Sequence, residues 1–362
     1  MLTKSMKEVK VMNVGLIGCG GVANLHMKVF RKLRNVNVVG ICDLNLERAK
    51  DFGSRFKVSR AFRDYNDLFE IKDLDLVDVC TPTSTHSRIV CDAAKAGVRA
   101  ILVEKPMALS VAQCDEMINE VKKHGSKLCI SHQQIFLPSI EKAKALIDDG
   151  KFNIVSFLTR SKESFEVLKA HGFASDWMVT PEHGGIIWES CTHLAYLQLH
   201  FLPDISEVYA VGSKFKYPVY DNFTVLLRTS NQKFGVIDLS WTSKETEIMY
   251  EMCASDDKRI QIYRNFDYLL ENNAESPFTV SGVIQNFFSE EKRLLRKWIK
   301  FGVNYFRKRK LIPHLKLIGN YLISIEKDLP PPIPPEDGRK TVELLECIKK
   351  SLDEHKPVRL TN

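Results

Sequence analysis

The sequence predicts an α/β protein in which an N-terminal doubly wound parallel sheet is followed by an α+β domain with an open, mostly antiparallel sheet. Three observations carry this. An apolar run, Val11 to Ile17, feeds straight into Gly18-x-Gly20-x-x-Ala23. Apolar runs then alternate with helix-length stretches to about residue 130. After Pro138 the pattern changes to closely spaced, largely alternating segments.

In the first part, apolar runs at 11–17, 36–42, 76–80, 98–103 and 127–131 read as buried parallel strands. Between them His26–Leu33, Leu46–Phe56, Thr85–Ala96 and Val111–Lys123 read as helices, with Gly97 and Gly125 stopping the last two. This is the β-α-β rhythm of a parallel sheet. Beyond it, a helix at 139–149 precedes strands at 152–160, 205–213, 222–229, 233–241, 246–254 and 259–263, with a helix from about 184 to 200 among them. Domain boundaries are expected at 1–132 and 133–362. Within the second, 276–320 stands apart as a basic helical segment. From Glu290 to Lys310 it carries nine Lys or Arg against two acids, with Leu294, Trp298, Phe301 and Tyr305 at helical spacing. A solvated basic face, a peripheral contact with an anionic membrane through 290–310 and an oligomer interface all fit that pattern. Pro330 to Pro335 reads as a stiff extended connector into a last helix, Gly338 to Leu352.

Composition narrows the class. With 362 residues, 44% hydrophobic and 27% charged, the chain can bury two cores. No apolar stretch approaches the roughly 20 residues of a membrane span, and the first ten residues lack the apolar core of a signal peptide. Nine cysteines without a C-x-x-C pair read as reduced thiols of a cytoplasmic protein. A net charge of +7 suits an anionic cofactor or substrate but does not imply nucleic acid.

The glycine loop is the most specific local signal. Gly18 permits a tight turn out of the strand, Gly20 lets backbone approach a pyrophosphate, and Ala23 lets the next helix pack against the sheet. With Gly21 and Val22 they present free N–H groups at a helix start, where phosphates bind. Twenty residues beyond Ala23, the second apolar run ends in Asp43, where an acid would take the adenosine ribose hydroxyls and repel a 2′-phosphate. Leu44-Asn45-Leu46 offers no arginine for that phosphate, and Arg48 lies a turn farther on. The expected cofactor is NAD.

Two further segments follow neighbouring strands at their carboxyl ends: Cys80-Thr81-Pro82-Thr83-Ser84-Thr85-His86, and Val103-Glu104-Lys105-Pro106. Together with the glycine loop and the two-part layout, they resemble the glucose–fructose oxidoreductase / inositol dehydrogenase family. The resemblance is strong over 11–138, moderate to about 275, absent over 276–320 and partial at the C-terminus. It implies that Lys105 contacts the substrate hydroxyl and assists proton transfer. It also implies that Pro106 follows in a cis peptide, that Glu104 binds the nicotinamide ribose, and that Thr81, Pro82 and His86 line the nicotinamide side. Gly184-Gly185-Ile186-Ile187-Trp188-Glu189-Ser190-Cys191-Thr192-His193 resembles the family's "GG-x-x-x-D-x-G-x-H" helix, so His193 matches its catalytic histidine and Glu189 its companion aspartate. Asp176-Trp177 resembles the upstream "DW", which places Trp177 near substrate. His132-Gln133-Gln134-Ile135-Phe136 is similar to the "HQNRF" of dehydrogenases acting on UDP-linked amino sugars, so Gln134 is expected at the substrate. Ile135 replaces the arginine there, and with it goes bidentate recognition of a carboxylate.

The chemistry also stands on residue types. Taking a hydride from a hydroxyl-bearing carbon requires removal of the hydroxyl proton, and histidine is the natural base near neutral pH. Glu189 and His193 are four apart and share a helical face, so the carboxylate could orient the imidazole, while Lys105 favours a developing alkoxide. His132, His171 and His183 have weaker claims, and no zinc constellation is expected. The substrate is expected to be a small sugar, cyclitol or nucleotide sugar. NAD-assisted glycoside cleavage and a non-catalytic NAD-binding sensor or scaffold are the alternatives. Because the family's second domain presents an open sheet face, a homodimer or homotetramer paired through strands between 205 and 263 is expected.

Overall fold

The computed structural model describes residues 11–172, 174–264, 267–273 and 311–360, apart from the side chains of 268, 272 and 273. The basic stretch 290–310 and most of 276–320 therefore lie outside the described residues. The chain divides into two compact units, one of 1–131 with 314–339, the other of 132–313 with 340–362.

The first unit is built on a six-stranded sheet in the order β3-β2-β1-β4-β5-β6, parallel throughout. Its strands are β1 (Met12–Ile17), β2 (Val36–Cys42), β3 (Ala61–Phe62), β4 (Leu76–Val79), β5 (Ala100–Glu104) and β6 (Lys127–Ser131). The helices between them are α1 (Gly21–Phe30), α2 (Leu46–Phe56), α3 (Tyr65–Phe69), α4 (His86–Lys95) and α5 (Val111–His124). The order reverses between β1 and β4, which makes the crevice at their carboxyl ends the ligand-binding position of such sheets. Strands β4 and β5 are buried along their whole length, which explains their unbroken apolar character. Local chemistry sets the helix ends: Asn45 caps α2 and Ser110 caps α5 through side-chain oxygens, and Gly125 ends α5 in the left-handed conformation. Two differences from expectation are local. Helix α1 starts at Gly21 rather than His26, because the glycine loop itself opens the helix. The two-residue β3 and the five-residue α3 are too short to show a period.

A larger difference concerns the C-terminal region. The sequence reading placed everything from 133 onward in the second domain, yet 314–339 packs with the first unit. Its helix Ile312–Glu326 inserts the fully buried Tyr321, whose hydroxyl meets the Ile101 N–H at 3.2 Å and the Lys127 carbonyl at 2.8 Å. The proline-rich connector is not a free spacer, since Ile333 is buried and its carbonyl accepts from the Ile130 N–H at 3.2 Å.

The second unit is an eight-stranded sheet in the order β13-β12-β11-β7-β10-β9-β8-β14. Its strands are β7 (Ile154–Ser164), β8 (Ile205–Ser213), β9 (Asn222–Thr229), β10 (Phe234–Ser240), β11 (Thr242–Ala254), β12 (Lys258–Tyr263), β13 (Tyr268–Asn273) and β14 (Val358–Arg359). Every pairing is antiparallel except β7 with β10. Helices α6 (Pro138–Asp148), α7 (Phe165–Ala170) and α8 (Thr192–Phe201) belong to it. Helix α8 is buried almost all round, and its buried Gln198 donates to the carbonyls of Phe157 and Val236, each at 3.0 Å, which fastens the helix across the parallel pair. A last helix, Pro335–Glu354, starts in the segment of the first unit and ends in that of the second.

Candidate active site

Each unit carries part of the expected machinery. In the first, Gly18 has φ +94°, and a β-carbon there would sit 2.5 Å from the Cys80 carbonyl oxygen, so both conformation and space demand glycine. A β-carbon on Gly20 would meet nothing within 4 Å, and Gly20 and Gly21 are exposed. The start of α1 is therefore bare: Gly20 is its N-cap and supplies no side-chain acceptor. Val22 is half-buried and Ala23 wholly buried. An open concavity of N–H groups at a helix start fits a pyrophosphate.

Asp43 sits just past the end of β2 and does more than await a ribose. Its Oδ2 accepts from the Cys19 N–H at 3.0 Å and its Oδ1 from the Asn45 N–H at 2.9 Å. The carboxylate thereby ties the glycine loop to the start of α2. Arg48 also reaches it, at 3.0 Å through one terminal nitrogen. Burial, then Asp43, push the Cys19 thiol up to about 12, so it stays protonated and inert beside the loop.

Thr81 is half-buried and Pro82 exposed, in the loop after β4, whereas His86 is wholly buried. The His86 ring nitrogens lie 2.9 Å from the Thr81 carbonyl and 3.0 Å from the Pro106 carbonyl. It thus braces the two loops against each other. Lys105 follows β5 directly, half-buried, and is joined to Pro106 by a cis peptide.

Glu104, expected at the nicotinamide ribose, has its side chain in the core. Its carboxylate is buried, with Oε1 3.1 Å from His26 Nε2 and Oε2 accepting from the Lys105 N–H at 3.2 Å. Burial would raise its pKa, but the nearness and charge of His26, and after it the nearness of Ser131, hold it at about 2. The other His26 nitrogen lies 2.8 Å from Asp78 Oδ2. Sequence reading passed over His26 and Asp78. The available signal was an acid inside the apolar strand Leu76-Val77-Asp78-Val79.

In the second unit, Gly184 and Gly185 have φ +79° and +63°, and β-carbons would lie 2.7 Å from Trp188 and 2.8 Å from Val219. The glycine pair is thus a steric requirement of the turn. The segment expected as one regular helix instead opens with a π turn over Ile187–Cys191 that holds the buried Glu189, and α8 follows with the half-buried His193 in its first turn. The wider turn alters the angular offset that α-helical spacing assigned to this pair, and such turns recur at functional sites. Trp177 is half-buried, with its ring 5.1 Å from that of His183. Gln134, expected at the substrate, is nearly wholly buried, and its carbonyl oxygen accepts from the Tyr250 hydroxyl at 3.0 Å. His132 stacks on Tyr196 with centroids 4.1 Å apart.

A parallel sheet in this strand order, a glycine loop opening onto a bare helix start, and an acid at the end of the second strand define a dinucleotide-binding protein of the Rossmann class. Residues 12–132 match the oxidoreductase family with an NAD-binding Rossmann fold, and residues 140–264 match the GFO/IDH/MocA C-terminal domain. The chain belongs to the GFO/IDH/MocA oxidoreductase family. Its sequence is 24% identical to myo-inositol 2-dehydrogenase of Thermotoga maritima, over 96% of this chain and 98% of that protein. It is 25% identical to D-apiose dehydrogenase of Paraburkholderia graminis, over 69% of this chain and 66% of that one. Among solved structures, the WlbA dehydrogenase of Bordetella pertussis, in complex with NADH and UDP-GlcNAcA, superposes with a TM-score of 0.81 at 19% identity, covering 98% and 99% of the two chains. At that identity the likeness shows the fold. Among the described residues no helix is long and apolar enough to cross a membrane.

Proposed function

We propose that this protein is an NAD-dependent dehydrogenase that moves a hydride between nicotinamide and a hydroxyl-bearing carbon of a sugar, cyclitol or nucleotide sugar. The observation that carries the reading is Lys105, standing immediately past β5 on the carboxyl edge of the sheet that also presents the glycine loop. Bound NAD would supply the two-electron acceptor, held by the loop from Gly18 to Ala23 and by Asp43. Lys105 would polarise the substrate oxygen and favour its alkoxide, and His193, with Glu189 in the preceding turn, would take the hydroxyl proton. Relatives named for inositol and apiose support a polyol or sugar. Ile135 stands where an arginine would hold a carboxylate, which supports a substrate uncharged at that point. The test is direct: purified protein, NAD⁺ and a panel of polyols, sugars and UDP-sugars, followed by absorbance of the reduced cofactor. No reduction with any member would sink the reading. All nine cysteines are free thiols and seven are buried, which supports a reducing, cytoplasmic setting.

NAD is expected to bind at least about tenfold tighter than NADP, a difference of about 1.4 kcal/mol, because Asp43 repels a 2′-phosphate. Asp43→Asn keeps an acceptor for one backbone N–H but frees Arg48, so it should narrow the gap without unfolding the loop. Equal affinities for the two cofactors in titrations of the unaltered protein would reject this role.

The second unit is further read as pairing with another copy of itself. One face of its sheet exposes Tyr209, Val211, Leu226 and Phe234, with Tyr209 directly opposite Leu226 across β8 and β9. Such an apolar patch suits a partner of the same chain. Light scattering should give a dimer or tetramer, and Tyr209→Asp with Leu226→Asp should give a monomer. A monomeric unaltered protein at micromolar concentration would count against it.

A further inference from the structure

We propose that His26 is a positioning residue: a doubly protonated imidazole whose ion pairs to Asp78 and Glu104 fix the Glu104–Lys105 turn on which the proposed lysine stands. This rests on the reading of Lys105 above. His26 lies on α1, the helix that the glycine loop opens, and is fully buried. Its Nδ1 is 2.8 Å from Asp78 Oδ2 and its Nε2 is 3.1 Å from Glu104 Oε1. The Asp78 contact is a hydrogen bond and the Glu104 contact a close approach of charges, and an uncharged ring there would leave two ionised carboxylates uncompensated in the core. On this reading the ring carries its second proton, and one cation sits between two buried anions.

The chain of contact then leaves the core in a single step, since the far oxygen of Glu104 accepts from the Lys105 N–H. The helix expected to receive the pyrophosphate and the strand end that carries Lys105 thus share one buried charge. Two more titratable side chains face this network, Cys80 and His314, and the charge of His314 also lowers Glu104. Cys80 Sγ lies 3.5 Å from His26 Nδ1, and burial keeps that thiol protonated. The rings of Phe30 and His314 meet the imidazole edge-on, with centroids 6.5 and 5.5 Å away. His26 with Asp78 and Cys80, or with Glu104 and His314, also brings three possible metal donors within 4.8 Å of one another, so a bound cation is the rival account.

The nitrogen-15 spectrum of the His26 imidazole, assigned by its loss in His26→Gln, should show both nitrogens protonated at neutral pH, and elemental analysis of the purified protein should find no stoichiometric metal. A neutral imidazole or one equivalent of metal would overturn the proposal. In kinetics, His26→Gln and Glu104→Gln should each lower kcat by up to about 10²-fold, as a small misplacement of a reacting group can. KM and NAD affinity should change little, and the double variant should be no worse than the worse single. Wild-type kcat in folded Glu104→Gln would also overturn it, and that variant serves if His26→Gln does not fold. An unaltered protein without turnover would sink the proposed activity alone, because the spectrum and the metal analysis read the network without catalysis.

Discussion

Lys105→Ala and His193→Ala are each expected to reduce turnover by about 10²–10⁴-fold, the usual worth of positioned acid–base assistance, while NAD affinity stays nearly unchanged. The asymmetry follows from where the residues stand. Neither belongs to the glycine loop or touches the Asp43 cluster, so cofactor binding loses nothing direct when they are truncated. Moving a hydride off a carbinol requires its hydroxyl proton to leave, and an alkoxide without a nearby cation or base is costly in a site that excludes water. If the two side chains serve one proton transfer, their effects do not add, and the double variant should be scarcely slower than the worse single. Glu189→Gln should fall between if its charge serves His193, since it removes the charge and leaves the imidazole. Steady-state kinetics with cofactor titration checks all of these. Near-normal turnover in His193→Ala would remove the histidine from the mechanism and leave Lys105 as sole candidate for the base.

The second large effect is on stability. His26→Ala should destabilise the protein by about 3–5 kcal/mol, the cost of removing one partner from a buried ion pair and stranding the other. Here two carboxylates, Asp78 and Glu104, would be left facing each other in the core. The dependence on pH has a definite sign. Burial alone would lower the His26 pKa, but Asp78 above all raises it well above its ordinary 6.5. Its contribution is therefore complete below pH 6.5 and is lost as pH rises through the folded value. Glu104 is held at about 2 against an ordinary 4.5, so its contribution is complete above pH 4.5 and is lost as pH falls toward 2. Together they stabilise fully between those ordinary values and weaken on either side. Urea denaturation across pH should show a flatter profile for His26→Ala than for the unaltered protein. Equal stabilities at pH 5.5 would refute the ion-pair account.

The two cases differ in how far sequence could reach. The glycine loop was legible because every constraint on it is local: a strand, a left-handed turn at Gly18 and a helix start at Gly21 lie within a few residues. The Gly184-Gly185 turn and the alternating strands of the second sheet were legible for the same reason, since backbone conformation and a period of two are written in neighbouring residues. Glu104 was placed by resemblance at the nicotinamide ribose, His86 at the nicotinamide side and Gln134 at the substrate. The structure turns each of these side chains inward, to His26, to two backbone carbonyls and to Tyr250.

By itself, then, the sequence determined the longer strands and helices and their alternation, the positions that must be glycine, and the acid at the end of β2. It also carried the family, through Glu104-Lys105-Pro106 and the run from Gly184 to His193. Tertiary structure alone decided which polar groups meet. His26 and Asp78 are 52 positions apart, and Tyr321 reaches Ile101 across 220. It also decided that 314–339 returns to the first unit and that the helix holding Glu189 opens with a π turn. The physical reason is that φ and ψ answer to nearest neighbours and to the apolar period. A buried charge or hydroxyl instead takes whatever partner the folded chain brings within hydrogen-bond reach, because leaving it unpaired costs more than almost any local preference can supply.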